Sequence, residues 1–185
     1  MKYCSDCGTH IEYRVPPEDN RTRAICVKCS KIHYVNPKVV VGSMTTWQDK
    51  ILLCKRAIEP RKGYWTLPAG FLEIGESTSQ GAVRETIEES GADIELDGIF
   101  AVFDIPSFNQ VHIFYFAKMK NSNLSPGIES MEAKLFSKEE IPWTDLSFTS
   151  VRRALELFYD KSKKNLQSVY TDLIISWNNH PTKVL

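Results

Sequence analysis

The stretch Glu76-Ser77-Thr78-Ser79-Gln80-Gly81-Ala82-Val83-Arg84-Glu85-Thr86-Ile87-Glu88-Glu89-Ser90-Gly91 sets the reading of the whole chain. Ser77 precedes Gln80 by three positions, the spacing at which the two side chains satisfy each other's backbone N–H groups at a helix start. Gly91 supplies a left-handed stop, so the pattern predicts a helix ending at Ser90. On it Glu85, Glu88 and Glu89 fall at i, i+3 and i+4 and share one face within a turn. Two readings fit such a face. It is either a solvated surface or a set of hard oxygen ligands whose mutual repulsion Mg²⁺ or Mn²⁺ relieves. Val83 and Ile87 lie opposite and are read as the anchor to a sheet.

Upstream, Leu67-Pro68-Ala69-Gly70 reads as a loop punctuated by proline and glycine. Before it, residues 39–47 and 51–56 are β-branched and apolar and flank Gln48-Asp49-Lys50, which predicts a hairpin. Downstream, residues 94–104 and 111–120 read as strands about a turn near Pro106, residues 121–130 as a polar loop, and residues 133–136 as a short strand. Phe148, Val151, Leu155 and Phe158 repeat at helical spacing, so a second helix is expected to lay its stripe on the sheet. Strands mixed with two helices indicate an α/β sandwich. The tail after Lys161 reads either as a helix or as a disordered end.

The 185 residues are 42% hydrophobic, enough for one sizeable core and a small accessory module. Basic and acidic residues both total 23, so no overall field draws the chain to nucleic acid or to anionic membrane. No apolar run approaches the roughly 18 to 20 residues that cross a bilayer, and Met1-Lys2-Tyr3-Cys4 lacks a secretory apolar stretch, so a cytoplasmic protein is expected. Cys4-x-x-Cys7 and Cys26-x-x-Cys29 have the spacing of two knuckles that close a four-sulfur zinc site. Such a site has no open coordination position and is read as structural. Gly8 and Ser30 follow the two pairs at equivalent places. Reduced thiols or a redox pair are the alternative use. Cys54, within a predicted strand, is read as a small core residue. Asn36-Pro37 marks the boundary, with strand-like sequence expected only after it.

Gly70-x5-Glu76-x7-Arg84-Glu85-Thr86-x-Glu88-Glu89-x-Gly91-Ala92 resembles the signature of the Nudix hydrolases at every glycine, glutamate and arginine, departing at the aliphatic positions held by Thr86 and Ala92. Trp65-Thr66-Leu67-Pro68-Ala69-Gly70 is similar to the family's approach to that signature. The resemblance implies a Nudix α/β/α sandwich with a mixed sheet over residues 36–160, preceded by a zinc ribbon at 1–35 and followed by the tail at 161–185. It implies that Glu85 and Glu89 bind catalytic magnesium, that Glu88 is a further ligand or a base, and that the Ala69 carbonyl is also a ligand. Arg84 and Glu76 are expected to brace these groups. For the general base, a carboxylate of the signature or of a later loop is expected. Glu129 and Glu132 are the loop candidates, and Glu132 is favoured. Arg56, closing the second strand, is expected to clamp a pyrophosphate, or else to be a surface arginine.

A zinc ribbon joined to a Nudix domain resembles two subgroups, the NADH pyrophosphatases and a group related to the plant FAD pyrophosphatases. Ala24-Ile25-Cys26, Tyr34-Val35-Asn36-Pro37-Lys38 and Leu52-Leu53-Cys54-Lys55-Arg56 resemble the second. After Gly91 the chain has Asp104-Ile105-Pro106-Ser107 where NADH pyrophosphatases carry Ser-Gln-Pro-Trp-Pro-Phe-Pro. FAD or ADP-ribose is therefore expected before NADH, with AMP as product. Phe103, Phe108 and Tyr64 are candidates for an adenine slot, or else core residues. A homodimer is expected from the resemblance. RNA decapping and a non-enzymatic role in nucleotide sensing or RNA binding are the competing readings. Arg14, Arg21, Arg23, Lys28 and Lys31 make the first 35 residues basic, without a recognition helix or interleaved aromatics.

Overall fold

A computed structural model describes residues 1–160 and 169–175 and divides the chain into two compact units, Met1–Pro37 and Lys38–Leu185. The first unit carries three short antiparallel strands, β1 (Ile11–Arg14), β2 (Arg23–Cys26) and β3 (Ile32–His33), in the order β1-β2-β3. This corrects the expectation that strands begin only after Pro37. Each strand is two to four residues long, too short for alternation to register in the sequence.

The second unit is built on a mixed sheet in the order β10-β5-β4-β9-β8-β11. The strands are β4 (Lys38–Trp47), β5 (Lys50–Arg56), β6 (Trp65–Thr66), β7 (Ala69–Phe71), β8 (Ile94–Ile105), β9 (Gln110–Met119), β10 (Ser130–Phe136) and β11 (Tyr170–Leu173). β4 runs parallel to β9, and β11 parallel to β8. The predicted hairpin forms, but β4 and β5 pair only at its closed end, through Thr46 with Ile51 and Trp47 with Lys50. Beyond that the two strands diverge. Residues 65–71 fill the opening, β6 pairing with β5 and β7 with β4, where a plain loop was expected. Within the tail read as helix or disorder, Tyr170–Leu173 is a strand. Asp172 reaches Arg153 at 2.5 Å and Tyr170 packs edge-on against Phe100 at 5.4 Å. The rest of that expectation falls largely outside the described residues.

Helix α1 (Thr78–Ser90) and helix α2 (Thr149–Tyr159) cover opposite faces of the sheet, as the period-two alternation of β9 shows. Phe114 joins the α2 core with Phe103, Val151 and Leu155, while the next residue, Tyr115, packs with Val41 and Ala82 of the α1 side. The capping box at Ser77 and Gln80 is present, and Gly91 ends α1 at φ 68°. The anchoring face of α1 is not the expected one. Ile87 is exposed and Val83 half-buried, while Gly81, Ala82, Thr86 and Ser90 face inward. Small side chains let the helix sit close to β4, and Thr86 bonds the buried Ser43 hydroxyl at 2.7 Å. The hydroxyl that departs from the signature thus has a partner, which an aliphatic residue could not offer.

Candidate active site and zinc centre

In the first unit the four cysteine sulfurs all lie within 4.8 Å of one another. Cys4 and Cys29 sulfurs are 3.7 Å apart, Cys7 and Cys29 3.7 Å, and Cys7 and Cys26 3.4 Å. A tetrahedron of thiolates at zinc–sulfur distances near 2.3 Å has edges of about 3.8 Å, so the cluster has the size of a zinc site. Two matching knuckles shape it. Gly8 N–H donates to the Cys4 carbonyl and Ser30 N–H to the Cys26 carbonyl, both at 3.0 Å. Gly8 and Ser30 both adopt positive φ, at 68° and 57°. The Asp6 and Cys29 amides point at the Cys4 and Cys26 sulfurs, each at 3.4 Å, as suits thiolate acceptors.

In the second unit a cavity of about 780 Å³ opens where β4 and β5 part. Glu85, Glu88 and Glu89 reach its wall from α1, Ala69 and Gly70 from β7, and Arg56 from the end of β5. Glu89 is buried, and the Ala69 amide donates to its carboxylate at 3.3 Å. Burial, reinforced by the charge of Glu85, pushes the Glu89 carboxyl up to about 8. Burial also raises Glu85, with Arg84 opposing. The Glu85 carboxylate lies against the backbone of Gly70, where any Cβ would collide with it. Two desolvated carboxylates thus converge on one short strand, an arrangement that a divalent cation with hard oxygen ligands would relieve.

Arg84 binds both Glu76 oxygens, at 2.7 and 3.0 Å, and extends to Glu85 at 2.7 Å, Glu88 at 3.1 Å and the Phe71 carbonyl at 3.2 Å. Glu76 also accepts the Glu73 amide at 2.8 Å. The Arg84 guanidinium, then that amide, hold the Glu76 carboxyl down at about 2. The arginine and Glu76 therefore tie the loop after β7 to the acidic face of α1.

Arg56 donates to the Pro60 carbonyl at 2.8 Å and stacks on Phe148 at 5.2 Å. It also lies in the cavity wall. Glu129 lies in the wall, but Glu132, the favoured loop carboxylate, is exposed and outside it. A bulge between Ser130 and Glu132 breaks the alternation of β10, a shift that the sequence does not announce. Phe103 is corrected too. It is fully buried in the α2 core, 6.1 Å from Phe114, because β8 turns Ala101, Phe103 and Ile105 to that side. Tyr64 stacks on Arg61 at 5.3 Å and is not part of the wall, whereas Phe108 is.

Pocket contacts were expected from residues 103–110, and the last of these, Gln110, lies in the cavity wall, whereas His112 beside it was missed. Their same-face spacing on a strand was the available signal. Burial pushes the His112 pKa down to about 4, so the ring is neutral near pH 7. A group depressed on folding binds its proton more readily when unfolded, so its contribution to stability is complete above about pH 6.5 and is lost as pH falls toward 4. We expect the stability of the wild type to fall more steeply over that window than that of His112→Phe, read from urea unfolding at each pH. Parallel slopes would show that His112 titrates normally.

Two family models match the chain: Nudix N-terminal, a zinc ribbon, over residues 2–35, and NUDIX domain over residues 36–158. The crystal structure of a NUDIX hydrolase from Nitrosomonas europaea is 43% identical, with a TM-score of 0.91, covering 95% of this chain and all of that one. An ADP-ribose pyrophosphatase of Methanocaldococcus jannaschii is 31% identical over 113 residues, 59% of this chain and 67% of its own length. The NAD-capped RNA hydrolase NudC of Vibrio atlanticus is 26% identical over 169 residues, 89% of this chain and 60% of its own length. The chain thus spans about two thirds or less of these curated relatives. With a signature helix, its mixed sheet and a four-cysteine ribbon at the matched positions, the chain belongs to the Nudix hydrolase family.

Proposed function

We propose that the chain hydrolyses the pyrophosphate bond of a nucleoside diphosphate joined to a second moiety, preferring FAD or ADP-ribose over NADH and releasing AMP. The observation that carries this reading is the pair of desolvated carboxylates, Glu85 and Glu89, set against Ala69 and Gly70 in a cavity that also holds Arg56. In this reading Glu85, Glu88, Glu89 and the Ala69 carbonyl hold Mg²⁺ or Mn²⁺. When bound, the cation neutralises phosphate oxygens and activates water. Arg84 keeps Glu85 and Glu88 in place, and Glu76 keeps Arg84 in place. Arg56 pairs with the phosphate remote from attack, and Glu129 in the wall accepts a proton from the attacking water. No covalent enzyme intermediate is required.

The preference among substrates rests on the segments flanking the signature and on similarity to an ADP-ribose pyrophosphatase. Since the chemistry concerns the pyrophosphate alone, discrimination comes from contacts to the rest of the substrate. Turnover of FAD, ADP-ribose, NADH and NAD-capped RNA, compared at matched Mg²⁺ with products resolved, is expected to give AMP from the first three, 5′-monophosphorylated RNA from any capped RNA cleaved, and a higher kcat/KM for FAD or ADP-ribose than for NADH. A kcat/KM for NADH about tenfold above both would reverse the assignment. Hydrolysis undiminished in excess chelator would remove the metal from the mechanism.

A further inference from the structure

We propose that Gln110, locked in one orientation by His112, reads the edge of an adenine ring at the end of the cavity remote from Glu85 and Glu89. The inference rests on the reading of the substrate as an adenine nucleotide and specifies how the base is recognised.

Three observations place a base there. The first is position. Across β7, β4 and β9, Phe71 aligns with Val40 and Val40 with His112, while Ala69 aligns with Gly42 and Gly42 with Phe114. With strands roughly 4.8 Å apart and a rise of about 3.3 Å per residue, His112 lies about 12 Å and Gln110 about 16 Å from Ala69. That is the scale of a nucleoside diphosphate laid from its phosphates to its base edge.

The second is the setting. Val40, Phe71 and Phe108 line the same cavity, offering apolar surface for a flat ring. Phe108 closes a 3-10 turn, Pro106–Phe108, whose left-handed cap at Asn109 delivers the chain directly into Gln110.

The third is the amide's orientation. The His112 Nε2 atom lies 2.9 Å from Gln110 Oε1. A carboxamide oxygen accepts and cannot donate, so Nε2 carries the ring proton and Nδ1 is a bare acceptor. Nδ1 is buried without a protein partner. Turning the amide over would present its NH₂ to Nε2 and force the proton onto Nδ1, leaving a buried N–H with no acceptor, a rarer and costlier state than an unpaired acceptor. His112 therefore holds Gln110 with its oxygen toward the ring. The second lone pair of Oε1 and the NH₂ group remain for a ligand. Side by side, an acceptor and a donor match the adenine N6 amino group and N1, the same acceptor–donor complementarity with which glutamine reads the N6/N7 edge in nucleic acids. On that N6/N1 edge hypoxanthine carries O6 and N1–H, which reverses both groups and sets donor against donor, while N7 is an acceptor in both bases.

The experiment compares ADP-ribose with inosine 5′-diphosphoribose, which differ at the base edge alone. The wild type is expected to favour ADP-ribose in kcat/KM by roughly tenfold to a hundredfold, the discrimination that one bidentate pair gives. Gln110→Leu should bring the ratio to within about threefold by weakening ADP-ribose selectively. In His112→Phe the amide is free to turn, so the ratio should fall by a gain for the inosine compound, a change that mere loss of packing would not produce. If this buried variant fails to fold, as thermal melting would report, the half-buried Gln110→Leu decides. Equal turnover of both compounds by the wild type, or an unchanged ratio in Gln110→Leu, overturns the proposal while leaving pyrophosphate hydrolysis standing. If neither ADP-ribose nor FAD is turned over, the substrate reading itself falls, and the base slot with it.

Discussion

Glu89→Gln is expected to lower kcat by about a thousandfold while the metal-free protein melts no lower than the wild type. The two effects have one origin. Glu89 is buried beside a second carboxylate, and its charge is unfavourable there until a cation shares the site. Glutamine has nearly the same shape and keeps an oxygen that can accept the Ala69 amide, so packing and that hydrogen bond persist. What it removes is the negative charge that would bind the proposed cation, and transition-state stabilisation is expected to fall with it. Melting curves and Mg²⁺-dependent turnover measured on the same preparation test both halves. Turnover within a few-fold of wild type would sink the metal-ligand role. A large drop in melting temperature without metal would show that Glu89 is a structural acceptor instead.

Removing zinc is expected to unfold residues 1–37 outright. Their apolar cluster consists of Cys4, Ile11, Ala24 and Cys26, two of which belong to the four-cysteine cluster that would hold zinc. Burying a couple of aliphatic side chains yields only about 1.5 to 3 kcal/mol each, against roughly 1 to 2 kcal/mol of backbone entropy for every residue ordered. Structural zinc contributes an apparent 10 to 16 kcal/mol or so in modules of this kind, and here it would supply most of what holds the strands together. Chelation, or Cys26→Ser, should therefore expose residues 1–37 to rapid proteolysis, with about one zinc per chain found beforehand by elemental analysis. Zinc-free protein as resistant to protease as the native form would show that the three-stranded sheet stands unaided.

The features legible in the amino-acid sequence were those carried by local chemistry at fixed spacing. Ser77, Gln80 and Gly91 act within one or two turns of chain, so the bounds of α1 follow from them. The cysteine pairs are equally local. Features that depend on partners distant in sequence were not legible. Ile87 carries the more apolar side chain, yet Thr86 is the buried residue because Ser43 waits opposite it. Phe103 and Phe108 look alike as residues, and the register of β8 against β9 assigns one to the core and the other to the cavity. Glu129 and Glu132 are separated in role by a bulge, and β11 is identifiable only beside β8.

The parallel pairing of β4 with β9 governs how the second unit can be made. β4 is central in the sheet, and its longest partnership joins Lys38–Thr46 to residues 110–118, which emerge from the ribosome much later. The hairpin with β5 engages only the last two residues of β4, and β7 covers Val40, Val41 and Gly42 on the same edge, so the opposite edge of β4, from Lys38 to Thr46, has no neighbour until Gln110–Met119 has been synthesised. A β-branched strand left waiting in this way is prone to pair with other nascent chains, and non-local parallel pairing is intrinsically slow. Yield at high expression temperature should therefore be limited by aggregation of incomplete chains, even where the finished enzyme is stable.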